Sequence, residues 1–271
     1  MPVRSTASGA FGGESGRFTM RSNPSLRALL ATVLVLMLGC SRSKVEDEET
    51  IPPDLPPEQL PEDLRLAWNK AGARSGWLAL DPQARFSPGA GSGKVGEVWA
   101  FTFEKWPGTD VMAKLPEPEQ GFGIGLTNTF GITDAELKDL ARFKQLQMLH
   151  LGITKVSDTG LKQVAGFKQL KGLDLSQTKV TDMGLQELAG LKKLQVLELA
   201  GTAVTDAGLT ELAGLKELRV LDLVFTPVTD KGLKQLAGLK RLQRLYLKNT
   251  SVTEAGAANL QRTLPSLKII R

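Results

Sequence analysis

The chain has 271 residues, 41% of them hydrophobic, and a formal net charge of +5. Residues 1–39 hold four Arg and one Glu, a contribution of +3, so everything after them carries only +2. That is not the charge of a nucleic-acid binder, which shows a basic stripe, and no nucleic-acid partner is expected.

Residues 1–19 are Gly/Ser-rich and featureless, so Met20 is a candidate for the true start. From it runs MRSNPSLRALLATVLVLMLGC, with Arg21 and Arg27 ahead of an uncharged apolar stretch at residues 28–38. Eleven apolar residues are too few to span a bilayer, which needs about 20, and the pattern reads as a secretory signal over residues 1–39. Its end, Met37-Leu38-Gly39-Cys40, resembles the bacterial lipobox, whose cysteine becomes the lipidated first residue of the mature protein. The resemblance implies a lipid on Cys40 and an exported protein, anchored on the periplasmic or outer side of a bacterial envelope. Residues 40–61 follow as an acidic, Pro-rich tether; from Val45 to Leu64 there are eight acidic residues, five prolines and no basic residue. Such a stretch cannot bury a core and holds the folded part off the membrane.

Residues 62–121 contain all four tryptophans, Trp68, Trp77, Trp99 and Trp106. Residues 63–73 suit a short helix, and residues 97–103 (EVWAFTF) alternate like a strand. A degenerate repeat strand follows at Ile124, Leu126 and Thr129, with one residue inserted at Gly131. Because a solenoid must cover the leucines at its ends, this aromatic segment reads as an N-terminal cap rather than a separate binding domain. The glycine-rich run at residues 89–94 fails as a phosphate loop: Pro88 stands at the required first Gly, and Val95 replaces the magnesium-holding Ser or Thr. The glycines of residues 121–125 likewise open a strand rather than a helix.

From residue 122 to 271 one 24-residue unit recurs, as in VTDAGLTELAGLKELRVLDLVFTP at residues 204–227. Copies begin at Ile132, Val156, Val180, Val204 and Val228, and a truncated one at Val252. Leu194, Leu197 and Leu199 alternate with period two and predict a short strand. In the other half, Thr205 or Asp206 is placed to cap a helix, Leu209 and Leu212 share a stripe, and Gly214 is placed to end the helix in a left-handed conformation. Repeating one strand and one helix yields a parallel sheet on the concave side and helices on the convex side, because helices are wider than strands.

The pattern LxxLxLxxT followed by TDxGLxxLA resembles the leucine-rich repeat superfamily, most closely its cysteine-containing subclass. Where that subclass has Cys, this chain has Thr154, Thr178, Thr202, Thr226 and Thr250, whose hydroxyls suit hydrogen bonds to the adjacent turn. The resemblance implies an α/β horseshoe. Cysteine-type relatives often serve as substrate receptors of ubiquitin ligases. No F-box-like helical segment precedes these repeats, and an exported protein would not meet that machinery.

Chemistry is sparsely supplied. His150 is the only histidine, which excludes a multi-His metal site, and it reads as an exposed strand residue rather than a catalyst. No enzyme and no cofactor are expected. What remains is the concave surface, where His150, Asp174, Glu198, Asp222 and Tyr246 occupy equivalent outward positions. The three carboxylates stack about 4.8 Å apart, an arrangement folding does not obviously require. Beside them stand Val224 and Phe225, then Arg244 and Lys248. An apolar, aromatic patch flanked by charge is the composition of a protein-binding hot spot, and the acidic stripe suits a partner with a basic patch. The competing readings are an envelope lipoprotein without a specific ligand, and an enzyme housed in residues 62–121.

Overall fold

The structure, a computed structural model, describes residues 60–79, 87–88 and 97–271. The expected signal, Cys40 and nearly all of the tether lie outside the described residues.

The described chain opens with helix α1 (Glu62–Lys70), strands β1 (Arg74–Ala79), β2 (Ser87–Pro88) and β3 (Glu97–Thr102), and helix α2 (Thr109–Met112). The repeats then alternate: β4 (Phe122–Gly125), α3 (Leu137–Leu140), β5 (Leu146–His150), α4 (Asp158–Val164), β6 (Gly172–Asp174), α5 (Asp182–Leu188) and β7 (Val196–Glu198). They continue as α6 (Leu209–Leu212), β8 (Val220–Asp222), α7 (Asp230–Leu233) with a 3₁₀ turn at Lys234–Gly238, β9 (Arg244–Tyr246), α8 (Glu254–Thr263) and β10 (Lys268–Ile270). One sheet holds the strands in the order β10-β9-β8-β7-β6-β5-β4-β3-β1-β2. It is parallel from β3 to β10; β1 pairs antiparallel with β3, and β2 with β1. This is the solenoid of one strand and one helix per unit expected of the period.

The register places one apolar file along the inside. Phe101, Ile124, Leu149, Leu173, Leu197, Leu221, Leu245 and Ile269 are successive partners across the sheet. Leu197 is fully buried, as are Leu209 and Leu212 on the facing helix, so leucines from strand and helix close one continuous core. No repeat could bury its leucines alone.

The aromatic segment joins the same core. Trp68 is fully buried, stacks on Phe101 at 4.2 Å between ring centroids, and donates its indole N–H to the Pro116 carbonyl at 2.9 Å. Phe122 and Phe143 meet it at 5.9 and 5.4 Å, so aromatic rings occupy the first turns where leucines serve later. Strand β3 forms within the expected residues 97–103, is buried on both faces from Val98 to Phe101, and pairs parallel with β4, extending the sheet by one strand.

Two local expectations are corrected. Gly214 does not adopt the left-handed conformation; the described glycines with positive φ are Gly72, Gly108, Gly131 and Gly201. The helix instead runs into a tight turn closed by Leu215 N–H to the Leu212 carbonyl at 2.9 Å. Asp206 does not cap its own helix. Nor does Thr205, since Gly208 stands at the helix start without a side-chain cap; Thr205 Oγ1 accepts the Ala207 N–H at 3.2 Å in the turn ahead of it, while Asp206 reaches into the next repeat. There its Oδ1 accepts the Thr229 N–H and its Oδ2 the Thr229 hydroxyl, each at 2.7 Å. Asp134, Asp158, Asp182 and Asp230 make the same pair of bonds to Ser157, Thr181, Thr205 and Thr253. The TDxG motif is therefore a clasp between neighbours. Its Gly receives the preceding repeat's carboxylate where a Cβ would collide with it, as Gly232 receives Asp206.

Candidate functional site

The six turns that follow strands β4 to β9 share one conformation. Asn128, Ile153, Gln177, Gly201, Phe225 and Asn249 all have left-handed φ, between 54° and 67°. Each precedes a threonine whose hydroxyl ties the turn. Thr154, Thr178, Thr202, Thr226 and Thr250 donate to the carbonyl three residues back, at 2.6–2.8 Å, and so close their own turn rather than bonding the adjacent one. Thr129 alone reaches the preceding strand, at the Phe103 carbonyl. Gly and Asn enter the left-handed region readily; a bulky or β-branched side chain there costs about 1–2 kcal/mol. Yet Ile153 is 48% exposed and Phe225 is 64% exposed. Neither is held in its strained position by the core.

Residues grouped on the concave face by the sequence divide in the structure. His150, Asp174, Glu198, Asp222 and Tyr246 do form one cross-strand row. His150 is half-buried rather than exposed, and burial pushes its pKa down against the opposing pull of Asp174. Asp174 is buried, with Oδ1 accepting the Ser176 N–H at 2.8 Å and Oδ2 facing the space a side chain at Gly152 would fill. Asp222 likewise accepts the Val224 N–H at 2.8 Å. Burial raises the Asp222 pKa and the Asp174 charge adds to the rise, whereas the Val224 N–H opposes both. Two of the three acids therefore serve the fold by tying the ends of β6 and β8, a role the sequence reading did not assign them. Tyr246 is buried, not an exposed anchor; it clusters with Val196 and Val220, and Val224 and Ile270 pack against them. Arg244 is half-buried, while Lys248 and Phe225 are exposed. The accessible part of the predicted patch is its Phe225–Lys248 edge.

Two features escaped the sequence reading. Ile153 sits in the Phe225 position three repeats earlier, and the shared left-handed turn is what gives the two the same exposed display. On the opposite edge, where helices descend into strands, Lys144, Lys168, Lys192, Lys216 and Lys240 form a row of exposed cations at one position of successive units. Lys192 and Lys216 donate to the carbonyls of Gly214 and Gly238 at 3.4 and 3.3 Å, bracing the end of the next helix. Among the described residues no group of three or more His, Cys, Asp or Glu could hold a metal ion. Nor is any described helix long and apolar enough to cross a membrane.

A family model described as a leucine-rich repeat matches residues 190–213 and 216–237. No curated protein matches the chain. Among solved structures, internalin C2 from Listeria monocytogenes is similar at 24% identity, over 59% of this chain and 64% of its own, with a TM-score of 0.47. A second internalin from the same organism is 20% identical over 55% of this chain and 46% of its own, at 0.41. A leucine-rich-repeat protein of Leptospira interrogans is 22% identical over 63% of this chain and 41% of its own, at 0.45. This chain thus spans less than two thirds of each. The five in-phase copies, the inter-repeat clasps and the parallel sheet make the 24-residue units of this chain similar to leucine-rich repeats, and the family model matches two of them.

Proposed function

We propose that this is an exported, lipid-anchored protein that recognises a protein partner along the concave face and the left-handed turns at its rim. A leucine-rich-repeat sheet is a scaffold for protein–protein contact, and that fold supplies the coarse reading. The observation that carries the finer one is the display of Phe225 and Ile153 in a conformation where Gly201, Asn128 and Asn249 serve without strain. Solvent-facing apolar side chains at a conformational cost have no use in folding, whereas an exposed aromatic residue whose backbone N–H bonds the Lys248 carbonyl at 3.0 Å, next to that exposed cation, suits a partner's apolar ridge.

The test separates display from stability. Phe225→Asn relieves the left-handed strain, so thermal unfolding should stay level or rise, by about 1 kcal/mol at most. A photoreactive residue at position 225 should capture a partner that the same residue at Met183, exposed on the convex side, does not. The captured partner should then dissociate at least about tenfold faster from Phe225→Asn. Identical adducts from both positions, or an unchanged dissociation rate, would return the protein to the reading of an envelope component without a specific ligand. Anchoring rests on the lipobox-like Met37-Leu38-Gly39-Cys40 alone. Cys40→Ser should abolish fatty-acid labelling and release the protein from membranes; unaltered fractionation removes the anchor from the proposal.

A further inference from the structure

Six large hydrophobic side chains stand exposed among the described residues, and three of them, Phe130, Ile153 and Phe225, share the edge of the turns that follow the strands. The others, Leu66, Val111 and Met183, are scattered over helices α1, α2 and α5. Backbone bonds order the edge. Asn128 N–H reaches the Gly152 carbonyl and Ile153 N–H the Ser176 carbonyl, both at 2.8 Å, so successive turns stack as the strands do. At about 4.8 Å a step, Phe225 lies roughly 20 Å from the turn of Phe130.

Phe130 is the most exposed of the six, at 81%. It follows the turn threonine, where later repeats place Lys155, Lys179, Ala203, Pro227 and Ser251. Beside it, in the aromatic segment, is a cavity of about 450 Å³ lined by Lys105, Trp106, Pro107 and the ion pair of Arg74 with Glu104 at 3.2 Å. Lys105 pairs with Phe130 in a parallel bridge, and Trp106 N–H donates to the Phe130 carbonyl at 3.4 Å, so exposed ring and cavity adjoin. Trp106 is half-buried and packs against the leucine core, which holds it in place at the opening.

The lining sets the chemistry of an occupant. Trp106, Pro107 and the neighbouring Phe130 offer apolar faces, the composition of an interface hot spot, in a volume typical of ligand sites. The acids of these turns are engaged: Glu104 by Arg74, and Asp134 by the Ser157 N–H and hydroxyl. Lys105 lines the cavity as an exposed cation, and Lys155 stands one turn on, its N–H bonded to the Ile132 carbonyl at 3.3 Å.

We propose that this cavity is a second anchor point, which seats an apolar side chain of the protein partner with a carboxylate of that partner against Lys105. The proposal rests on the rim reading above and extends it, because the segment that closes the solenoid then also holds the partner. It reverses the charge expected from the acidic row, whose Asp174 and Asp222 are tied to backbone N–H groups.

Indole N–H resonances of the isotope-labelled full chain test it, with Trp106 assigned through Trp106→Phe. The probes are N-acetyl-phenylalanine, its amide, which lacks the carboxylate, and N-acetyl-alanine, which lacks the ring. Trp106 should shift saturably with N-acetyl-phenylalanine while the buried Trp68, Trp77 and Trp99 stay. The amide should bind about threefold more weakly, Lys105→Gln should erase that difference, and N-acetyl-alanine should leave Trp106 unmoved. A partner captured through position 225 should leave Phe130→Ser at least about fivefold faster, at an unchanged melting temperature. No shift at Trp106, equal shifts from N-acetyl-alanine, or tighter binding of the amide overturns the proposal. So does an unaltered dissociation rate from Phe130→Ser, which leaves recognition at Phe225 standing. Saturable, ring-dependent shifts without selective capture at position 225 support the cavity's preference and remove the rim reading instead. Loss of the Trp106 resonance from Cys40→Ser protein on adding phosphatidylcholine vesicles would assign the edge to a bilayer and overturn the proposal.

Discussion

Asp206 shows how much a single residue's role depends on its neighbours in space. Within one repeat it reads as a helix cap, and a cap is worth about 1 kcal/mol. In the structure it binds the Thr229 N–H and hydroxyl of the next unit, and its removal leaves a part-buried N–H without its acceptor. Hydrogen bonds to a charged group contribute about 1.5–3 kcal/mol, so Asp206→Ala should cost roughly 2–3 kcal/mol, close to the 2–5 kcal/mol expected for Leu197→Ala. Denaturant midpoints of the two variants check this; a loss near 1 kcal/mol for Asp206→Ala would make the clasp no stronger than a local cap. The sequence shows the Asp, the Thr and the Gly of TDxG at fixed spacing. It does not show that the Asp of one copy serves the Thr and Gly of the next, because their partners lie 23 residues apart. Gly214 was misread for a related reason: the left-handed position sits at the strand's end, at Gly201 and its equivalents, not at the helix's end.

At the scale of the strand, burial and charge set the response to pH. His150 on β5 has its pKa lowered by burial from an ordinary value of 6.5, although Asp174 on β6 works the other way. The unfolded chain therefore binds a proton that the folded chain resists, and stability falls as pH drops through the ordinary histidine range. Asp222 on β8 has the opposite sign: burial raises its pKa, so its charge weighs on the folded state at neutral pH and protonation relieves it at lower pH. The two shifts act on stability with opposite signs as pH falls. Between pH 7.5 and 5.5, in roughly constant salt, the melting temperature should decline, and His150→Asn should flatten that decline. A wild-type curve that rises on acidification over this range would show that His150 gains, rather than loses, from its charged form. The row His150–Asp174–Glu198–Asp222–Tyr246 was legible because the 24-residue period fixes which side chains align. Its burial was not. A concave face brings outward side chains toward one another, and alternation along a strand carries no curvature, so Tyr246 and Asp174 were expected in solvent.

For the whole molecule, the repeats interact with nearest neighbours and stability is transmitted along the stack rather than pooled in one centre. The same period that made the leucine core and the parallel sheet readable hid the lysine edge, since a net charge of +2 averages an acidic tether against a basic rim. The end of the stack is the place to test transmission. Trp68 covers the first turns from α1, stacked on Phe101 and touching Phe122 and Phe143 of the next two turns. Trp68→Ala removes a fully buried ring and leaves the Pro116 carbonyl without its indole partner, so it should cost about 3–5 kcal/mol. In a linear array that loss should be graded by distance. Amide exchange should accelerate most in β3, β4 and β5, and least in β8 and β9, whose neighbours are unchanged. Global unfolding should remain a single transition as long as the interface terms exceed the loss. Uniform acceleration from β3 to β9 would mean that the stack opens all at once and that α1 is part of one cooperative unit. Acceleration confined to α1 and β1 would instead make the aromatic segment a separable domain, and the cap reading would fall.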